Sequence, residues 1–200
     1  GQTCAVRSVG TVACWGANSE GAVGDGTTTD RHTPVTLAGL SGVTALSAGP
    51  AHTCAVMQDA TVRCWGQNTL GQLGVGDTAA HLVPTAVALT GVAAVSAGST
   101  DTCAVRSDGS ASCWGYNVFG EVGDGTTTPR TVPTPVAFLS GAVSIGAGDS
   151  FACALIGSDG SLDCWGANSF GTLGDGTATA SSVPVRVLGL RADTPQVGDT

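Results

Sequence analysis

Residues 103–125 read CAVRSDGSASCWGYNVFGEVGDG, and the same pattern occurs four times in the chain. The other copies begin at Cys4, Cys54 and Cys153. The four tryptophans are spaced 50, 49 and 51 residues apart, and they are Trp15, Trp65, Trp114 and Trp165. A fixed period of this length is typical of a repeat array, in which stacked units bury a shared core. We therefore divide the 200 residues into repeats 1–49, 50–98, 99–148 and 149–200, the last with a degenerate end.

Each copy contains a predicted β-hairpin, because two short runs of alternating apolar residues flank a turn. In copy three the turn is Ser107-Asp108-Gly109. A three-residue loop that ends in glycine suits a type I turn followed by a left-handed residue. Copy two has Ala60 at the glycine position, which predicts local strain. Copy four has one extra residue in this loop, which predicts a different turn.

Two further strands are predicted after each of the first three hairpins, and one after the fourth. A polar, glycine-rich connection leads to an apolar run that starts with proline, at Pro34, Pro84, Pro135 and Pro184. A segment of the form V-x-x-V/L/I-x-A-G comes next, from Val43, Val92 and Ala142. Four short strands in about fifty residues, with no helical period, predict an all-β fold of β-propeller blades. Each blade is then a four-stranded antiparallel sheet.

The V-x-x-V/L/I-x-A-G segment occurs three times and not four. Where the fourth is expected, residues 191–200 read RADTPQVGDT and are polar. One blade is therefore predicted to lack a strand. Its unpaired edge offers free backbone N–H and C=O groups to another chain.

The eight cysteines form four pairs, one in each hairpin. The pairs are Cys4 and Cys14, Cys54 and Cys64, Cys103 and Cys113, and Cys153 and Cys164. In copy one the hairpin register puts Cys4 opposite Cys14, at a separation that a disulfide can bridge. The repeat thus favours four disulfides, each inside its own hairpin, and each contributing somewhat less than about 3 kcal/mol.

Zinc binding and redox chemistry are the alternatives for the cysteines. Zinc prefers clustered ligands such as C-x-x-C, and redox proteins usually have one special pair, whereas four equivalent pairs indicate a structural role. Because only 4% of the residues are aromatic and 31 are glycine, the core is thin and benefits from such bridges. Disulfides persist in oxidising surroundings, so we expect an extracellular or cell-surface protein.

Charge and hydropathy exclude several partners. The chain has no lysine and a net charge of −8, which repels phosphate backbones and argues against nucleic acid and anionic membranes. No apolar run approaches the length of about 18 residues that spans a bilayer, so no membrane insertion is expected. The opening GQTCAV has neither an initiator methionine nor a signal-like segment, from which we expect a processed or excised chain.

Three motifs suggest chemistry, and each has a simpler explanation. Asp25, Asp124 and Asp175 in the G-D-G-T segments could ligate Ca²⁺, but one Asp per loop is too few oxygens, and turn formation by Asp and Thr is favoured. The tryptophans could stack on sugars, yet packing inside a blade is favoured. We predict no metal and no cofactor.

No set of serine, histidine and aspartate recurs among the copies. His52 occupies a position that is Gln2, Asp101 or Phe151 in the other copies, so a packing or turn role is favoured over a general base. We predict no catalytic residue and no enzyme. The threonine-rich loops 27–29 and 126–128 are candidates for O-linked sugars, although plain solvated loops are favoured.

The run W-G-x-N-x-x-G-x-L-G occurs at 65–74 and 165–174, and Val23 and Val122 replace the leucine in the other two copies. Together with HTCAV and the proline-led strand, this run resembles the repeat of the regulator of chromosome condensation family. The resemblance covers residues 1 to about 190. It implies a β-propeller, usually of seven blades closed into a ring. The founding member's exchange activity on a small GTPase and its docking on nucleosomes are not expected of this acidic chain.

From these features we expect a non-enzymatic extracellular protein-interaction module. Its expected partners are proteins, including other copies of itself, bound through the unpaired blade edge in an oligomer or a surface filament. The alternative is a secreted binder or inhibitor that uses one propeller rim against another protein or a glycan.

Overall fold

The structure is a computed structural model that describes residues 1–190, and this part of the chain contains fifteen β-strands. Residues 191–200, where a strand was predicted to be missing, lie outside the described residues. The strands are β1 (Gln2–Val6), β2 (Val12–Gly16), β3 (Arg31–Thr36), β4 (Val43–Ala48), β5 (His52–Met57), β6 (Val62–Gly66), β7 (His81–Val87), β8 (Val92–Ala97), β9 (Asp101–Arg106), β10 (Ala111–Gly115), β11 (Arg130–Pro135), β12 (Ala142–Ala147), β13 (Phe151–Ile156), β14 (Leu162–Gly166) and β15 (Ser181–Arg186).

These strands form four antiparallel sheets, which we call blades 1 to 4. Their strand orders are β1-β2-β3, β4-β5-β6-β7, β8-β9-β10-β11 and β12-β13-β14-β15. Strands β4 and β12 both pack on β8. The first strands of blades 2, 3 and 4 therefore lie together on the inner side of the array. The predicted all-β propeller fold is confirmed.

The grouping of strands into sheets is offset from the sequence period. Strand β4 was expected to close the first repeat, but it pairs with the hairpin that follows it, with Leu46 opposite Ala55. The reason is that only three residues separate β4 from β5, so antiparallel pairing across this short turn is local. Blade 1 is described with three strands, and β1 is its unpaired inner edge.

The hairpin predictions are confirmed in detail. Cys4 pairs with Cys14 and Val6 with Val12. Ala60 has a φ of 59°, the strained left-handed conformation expected where its counterparts are glycine. In blade 4 the extra residue widens the turn, since Gly160 N–H bonds to Ile156 O.

The proline-containing strands lie at the outer edge of each blade, where a missing N–H is tolerated. They begin before the proline and not at it, which corrects the predicted start. In blade 1 the strand starts at Arg31, which pairs with Gly16 after a shift in register. Pro34 therefore lies inside the strand.

The apolar core consists of three clusters, one between each pair of neighbouring blades. Each cluster includes the tryptophan of the later blade, Trp65, Trp114 or Trp165, and all three have 0% exposed surface. Small aliphatic residues surround each indole. The prediction that tryptophan is a core residue is confirmed for these three, although they pack between blades and not inside one.

In residues 1–190, no helix has the length and hydropathy needed to cross a lipid bilayer.

Candidate interaction surfaces

Neighbouring blades are joined by a repeated set of hydrogen bonds, which we call the blade latch. Its centre is the carbonyl of the residue x in the G-x-L/V-G loop, which accepts a bond from the indole Nε1 of the next blade. The three bonds are Trp65 to Ala22 O at 3.0 Å, Trp114 to Gln72 O at 2.9 Å and Trp165 to Glu121 O at 2.8 Å. The threonine opposite the tryptophan adds a second bond in two latches, from Thr53 to Ala22 O and from Thr102 to Gln72 O.

The outer part of the latch is a main-chain bond to the outermost strand of the next blade. The pairs are Gly26 N–H with Leu82 O, Gly76 N–H with Thr131 O, and Gly125 N–H with Ser182 O, each at 2.9 Å. The last glycine of the G-x-L/V-G loop lies directly against the indole. A Cβ on Gly74 would stand 2.6 Å from Trp114 Nε1, so only glycine fits there.

The first blade carries one half of a latch without the other. Trp15 and Thr3 face each other across the hairpin as their buried counterparts do, and His32 occupies the position of Leu82. Within residues 1–190 no group accepts a hydrogen bond from the Trp15 indole. Trp15 is half-buried, whereas the other three tryptophans are fully buried.

The fourth blade carries the complementary half. Thr172 occupies the position of Gln72 and Glu121, which are buried, but it is exposed. Leu190 is 53% exposed, while its counterpart Leu40 in blade 1 is 3% exposed and belongs to the core cluster that contains Trp65. The two ends of the array therefore display opposite halves of one interface.

The four predicted cysteine pairs are bonded in the structure. Their Cα atoms lie 4.0 to 4.1 Å apart, within the hairpins, as the register requires. No free cysteine remains in the described part of the chain. All eight cysteines, Cys4, Cys14, Cys54, Cys64, Cys103, Cys113, Cys153 and Cys164, thus serve as covalent links between the two strands of a hairpin.

The G-D-G-T loops are Asx turns, as predicted. Asp25 Oδ1 accepts bonds from the backbone N–H and the hydroxyl of Thr27, at 3.1 and 2.7 Å. Its other oxygen pairs with Arg31. Partial burial by itself would raise the Asp25 pKa, but the hydrogen bonds from Thr27 and Arg31 outweigh it, so the pKa lies below its ordinary value. Among residues 1–190, no three potential ligands cluster in a metal-binding arrangement.

A second series of polar contacts crosses the blade interfaces, from the residue that begins the first hairpin strand. Gln2 Nε2 donates to Thr53 Oγ1 at 2.9 Å. His52 Nε2 lies 2.9 Å from Thr102 Oγ1; because that hydroxyl donates to Gln72 O, the imidazole nitrogen is the donor. His52 is fully buried, and burial lowers its pKa to about 4.

The third member of this series has no partner. Asp101 is fully buried, and Ala152 occupies the position of the threonine that its counterparts contact. Neither carboxylate oxygen of Asp101 has a hydrogen-bond partner within the described residues. Burial first, and then the negative charges of Glu121 and Asp149, raise the Asp101 pKa well above its ordinary value.

A shallow groove of about 230 Å³ opens among the loops that connect the strands of blades 2, 3 and 4. Its lining residues are Leu70, Thr100, Tyr116, Phe119, Asp149 and Ser150, from blades 2, 3 and 4. Sequence reasoning missed both this groove and the latch. The sequence signal for the groove is the second position after the repeated asparagine, which is Glu20 in copy one but Leu70, Phe119 and Phe170 in the others.

Comparison with known families identifies the repeat. The profile of the regulator of chromosome condensation (RCC1) repeat matches residues 10–56, 59–105 and 108–155, and a second profile of that repeat matches 43–72, 92–121 and 142–172. The matched segments cover well over half of the chain. The chain belongs to the RCC1 repeat family. RCC1 repeat proteins are mostly regulators and binders. A separate search of curated protein sequences finds no match to this chain.

Solved RCC1-like structures share the fold. Human WBSCR16 is 25% identical, with a TM-score of 0.82, over 93% of this chain and 50% of that chain. Prp20p from Saccharomyces cerevisiae, described with its binding to Gsp1p and histones, is 22% identical, with a TM-score of 0.81, over 93% and 48%. The ectodomain of the Physcomitrella patens receptor kinase CR4 is 24% identical, with a TM-score of 0.51, over 82% and 39%. The chain thus spans about half the length, or less, of these structures.

Proposed function

We propose that this RCC1 repeat chain is a non-enzymatic, extracellular protein-interaction module that joins to other copies of itself through the ends of its blade array. The observation that carries the proposal is the pair of unmatched latch halves. Blade 1 offers the Trp15 indole and the Thr3 hydroxyl as donors, and blade 4 offers the Thr172 carbonyl as acceptor. Three internal latches of the same design support this match.

A contact between blade 4 of one copy and blade 1 of the next is heterologous. Such contacts close into a ring or continue as a filament, depending on the rotation between copies.

The four disulfides support an extracellular location, since such bonds persist in oxidising compartments. The fold shared with a receptor-kinase ectodomain is compatible with that location. The intact mass of the exported chain tests the proposal, because four bridges remove eight hydrogens relative to the reduced chain. Free thiols in the exported protein would contradict it.

The threonine loops suggest where sugars attach. Thr27 and Thr126 use their hydroxyls in turns with Asp25 and Asp124, whereas the other threonines of these loops are exposed, namely Thr28, Thr29, Thr127 and Thr128. We assign any O-linked sugars to these exposed threonines. Mass increments of the exported chain that map to other residues, or none at all, would reject the assignment.

Sedimentation velocity over a range of concentrations tests the self-assembly. We compare the chain with the double variant Thr3→Val/Trp15→Phe, which removes two donors at the free end, and with the matched internal variant Thr53→Val/Trp65→Phe. The end variant should raise the dissociation constant about tenfold, since each lost bond is worth about 0.5 to 1.5 kcal/mol, with an unchanged melting temperature. The internal variant should lower the melting temperature and keep the association.

Two results would overturn the self-assembly proposal. The first is a chain that sediments as a single copy at every concentration. The second is an end variant that associates as tightly as the unmodified chain.

A second candidate is a binder that uses one rim of the propeller, and the apolar side chains on the loop face favour it. Phe119 and Phe170 are 46% and 97% exposed at equivalent positions. Selection from a displayed random-peptide library tests this candidate, with the unmodified chain as bait and the Phe119→Ser/Phe170→Ser variant for counter-selection. Enrichment of peptides by the unmodified chain alone is expected, and equal enrichment by the variant would contradict it.

A further inference from the structure

We propose that the groove between the loops of blades 2, 3 and 4 binds an arginine side chain presented by a partner protein. The guanidinium would lie against Tyr116 and Phe119 and pair with the carboxylate of Asp149. The proposal rests on the rim-binding candidate and specifies its partner. It is independent of the latch and of self-assembly.

The aromatic residues give the groove its first requirement. Phe119 is 46% exposed, although it is a large apolar side chain in a chain with few aromatics, and Tyr116 is half-buried beside it. A planar guanidinium stacks on such rings, and its attraction to the ring face is stronger where water is partly excluded. Leu70 completes an apolar wall for the methylene stem.

The charge of the groove gives the second requirement. Asp149 is exposed in the lining, and no described cation lies within ion-pair distance of it. Behind the groove, Asp101 and Glu121 have buried carboxylate oxygens without partners in the described residues. Burial, and then the negative charges of Glu121 and Asp149, raise the pKa of Asp101, so these carboxyl groups lie close enough to interact.

Three of the six arginines in residues 1–190 form ion pairs, and all three pair with acids outside the groove. Arg31 pairs with Asp25, Arg130 with Asp124, and Arg186 with Asp159 and Asp163. None of the ion pairs in residues 1–190 involves Asp149, so its carboxylate is free to pair with a cation from outside. Arginine is the side chain that satisfies an aromatic wall and a carboxylate at once.

Amide NMR of the purified full chain tests the proposal with two synthetic peptides, acetyl-Gly-Gly-Arg-Gly-Gly-amide and its citrulline analogue. Citrulline keeps the shape of arginine and removes its charge. The arginine peptide should shift the amides of Tyr116, Phe119 and Ser150 in a saturable manner. The citrulline peptide should leave these signals in place at the same concentrations, and equal shifts with both peptides would overturn the proposal.

Matched variants separate the groove from the general charge of the chain. Asp149→Asn should weaken binding of the arginine peptide by up to about fivefold, in the range of an exposed ion pair, while Glu20→Gln, the same charge change on the equivalent face of blade 1, should not. Phe119→Ser should weaken binding and Phe170→Ser, at the equivalent position outside the groove, should not. Equal effects of the two members of either pair would contradict the proposal.

The two tests fail in distinguishable ways. If the peptide library enriches sequences without arginine that still depend on Phe119, the rim-binding function stands and the arginine proposal falls. If the library enriches nothing, the rim-binding function falls with it.

Discussion

The indole Nε1 of Trp114 donates a hydrogen bond of 2.9 Å to the main-chain carbonyl of Gln72, and this bond ties blade 3 to blade 2. Because the acceptor belongs to the backbone, the side chain at that position is free to vary, as Ala22, Gln72 and Glu121 show. The constraint falls instead on the glycine two residues later, which must leave room for the indole.

Gly74→Ala tests that constraint. The new Cβ would stand 2.6 Å from Trp114 Nε1 on a residue with a φ of +71°, so we expect the free energy of unfolding to fall by about 2 to 4 kcal/mol, from overpacking and backbone strain together. Gly91→Ala is the matched control, with a φ of +70° and no neighbour within 4 Å. It should cost about 1 kcal/mol. Equal losses in urea unfolding would show that the indole contact is not the cause.

His52→Gln should remove a sensitivity to acid. The folded-state pKa of His52 is lowered from 6.5 to about 4, so the unfolded chain binds the proton first and stability is lost as pH falls from about 6.5 to 4. Glutamine makes the same contact in blade 1, from Gln2 to Thr53. We expect similar stability at pH 7 and a gain of about 2 kcal/mol over the unmodified chain at pH 5. A parallel loss of stability with pH in both proteins would contradict the assignment.

Asp101→Asn should act in the opposite direction. The folded-state pKa of Asp101 is raised by burial and by two neighbouring acids, so its contribution destabilises the fold at neutral pH and becomes less unfavourable as pH falls toward its unfolded value. Asparagine removes the buried charge, and we expect a gain of about 1 to 3 kcal/mol at pH 7 that shrinks in acid. Glu20→Gln is the charge-matched control and should change little. A lower free energy of unfolding for the variant at pH 7 would show that the buried Asp101 carboxylate does not destabilise the fold.

Ala60→Gly should stabilise blade 2. Ala60 holds a φ of 59° in a turn where blades 1 and 3 have glycine, so glycine relieves up to about 1 kcal/mol of strain. The reverse change, Gly109→Ala, should destabilise blade 3 by more, because its Cβ would also lie 2.8 Å from the Gly141 Cα. Thermal unfolding of both variants measures the two effects. A lower melting temperature for Ala60→Gly would contradict the strain.

The sequence predicted the parts of the fold that local pattern determines. Alternation and turn chemistry located the hairpins, and register across a short turn is enough to pair Cys4 with Cys14. The assignment of β4 to a sheet was not accessible in this way, because a strand between two hairpins can pair with either neighbour.

The candidate surfaces were harder to predict. Trp15 is identical in pattern to Trp65, and only the packing of successive blades shows that one is covered and the other is not. The groove likewise combines Leu70, Phe119 and Asp149 from three blades. Residues this far apart in sequence are brought together by the curvature of the array, which no local pattern records.

The central claim is that blade 4 of one copy docks on blade 1 of another, and photo-crosslinking tests it most directly. Phe170, next to the free latch loop and 97% exposed, is replaced by p-benzoylphenylalanine in a ¹⁵N-labelled chain, which is mixed with an unlabelled chain and irradiated. We predict crosslinked peptides of mixed isotope content that join this loop to the blade 1 surface around Trp15 and His32. Crosslinks confined to single chains, or spread evenly over the surface, would contradict the claim.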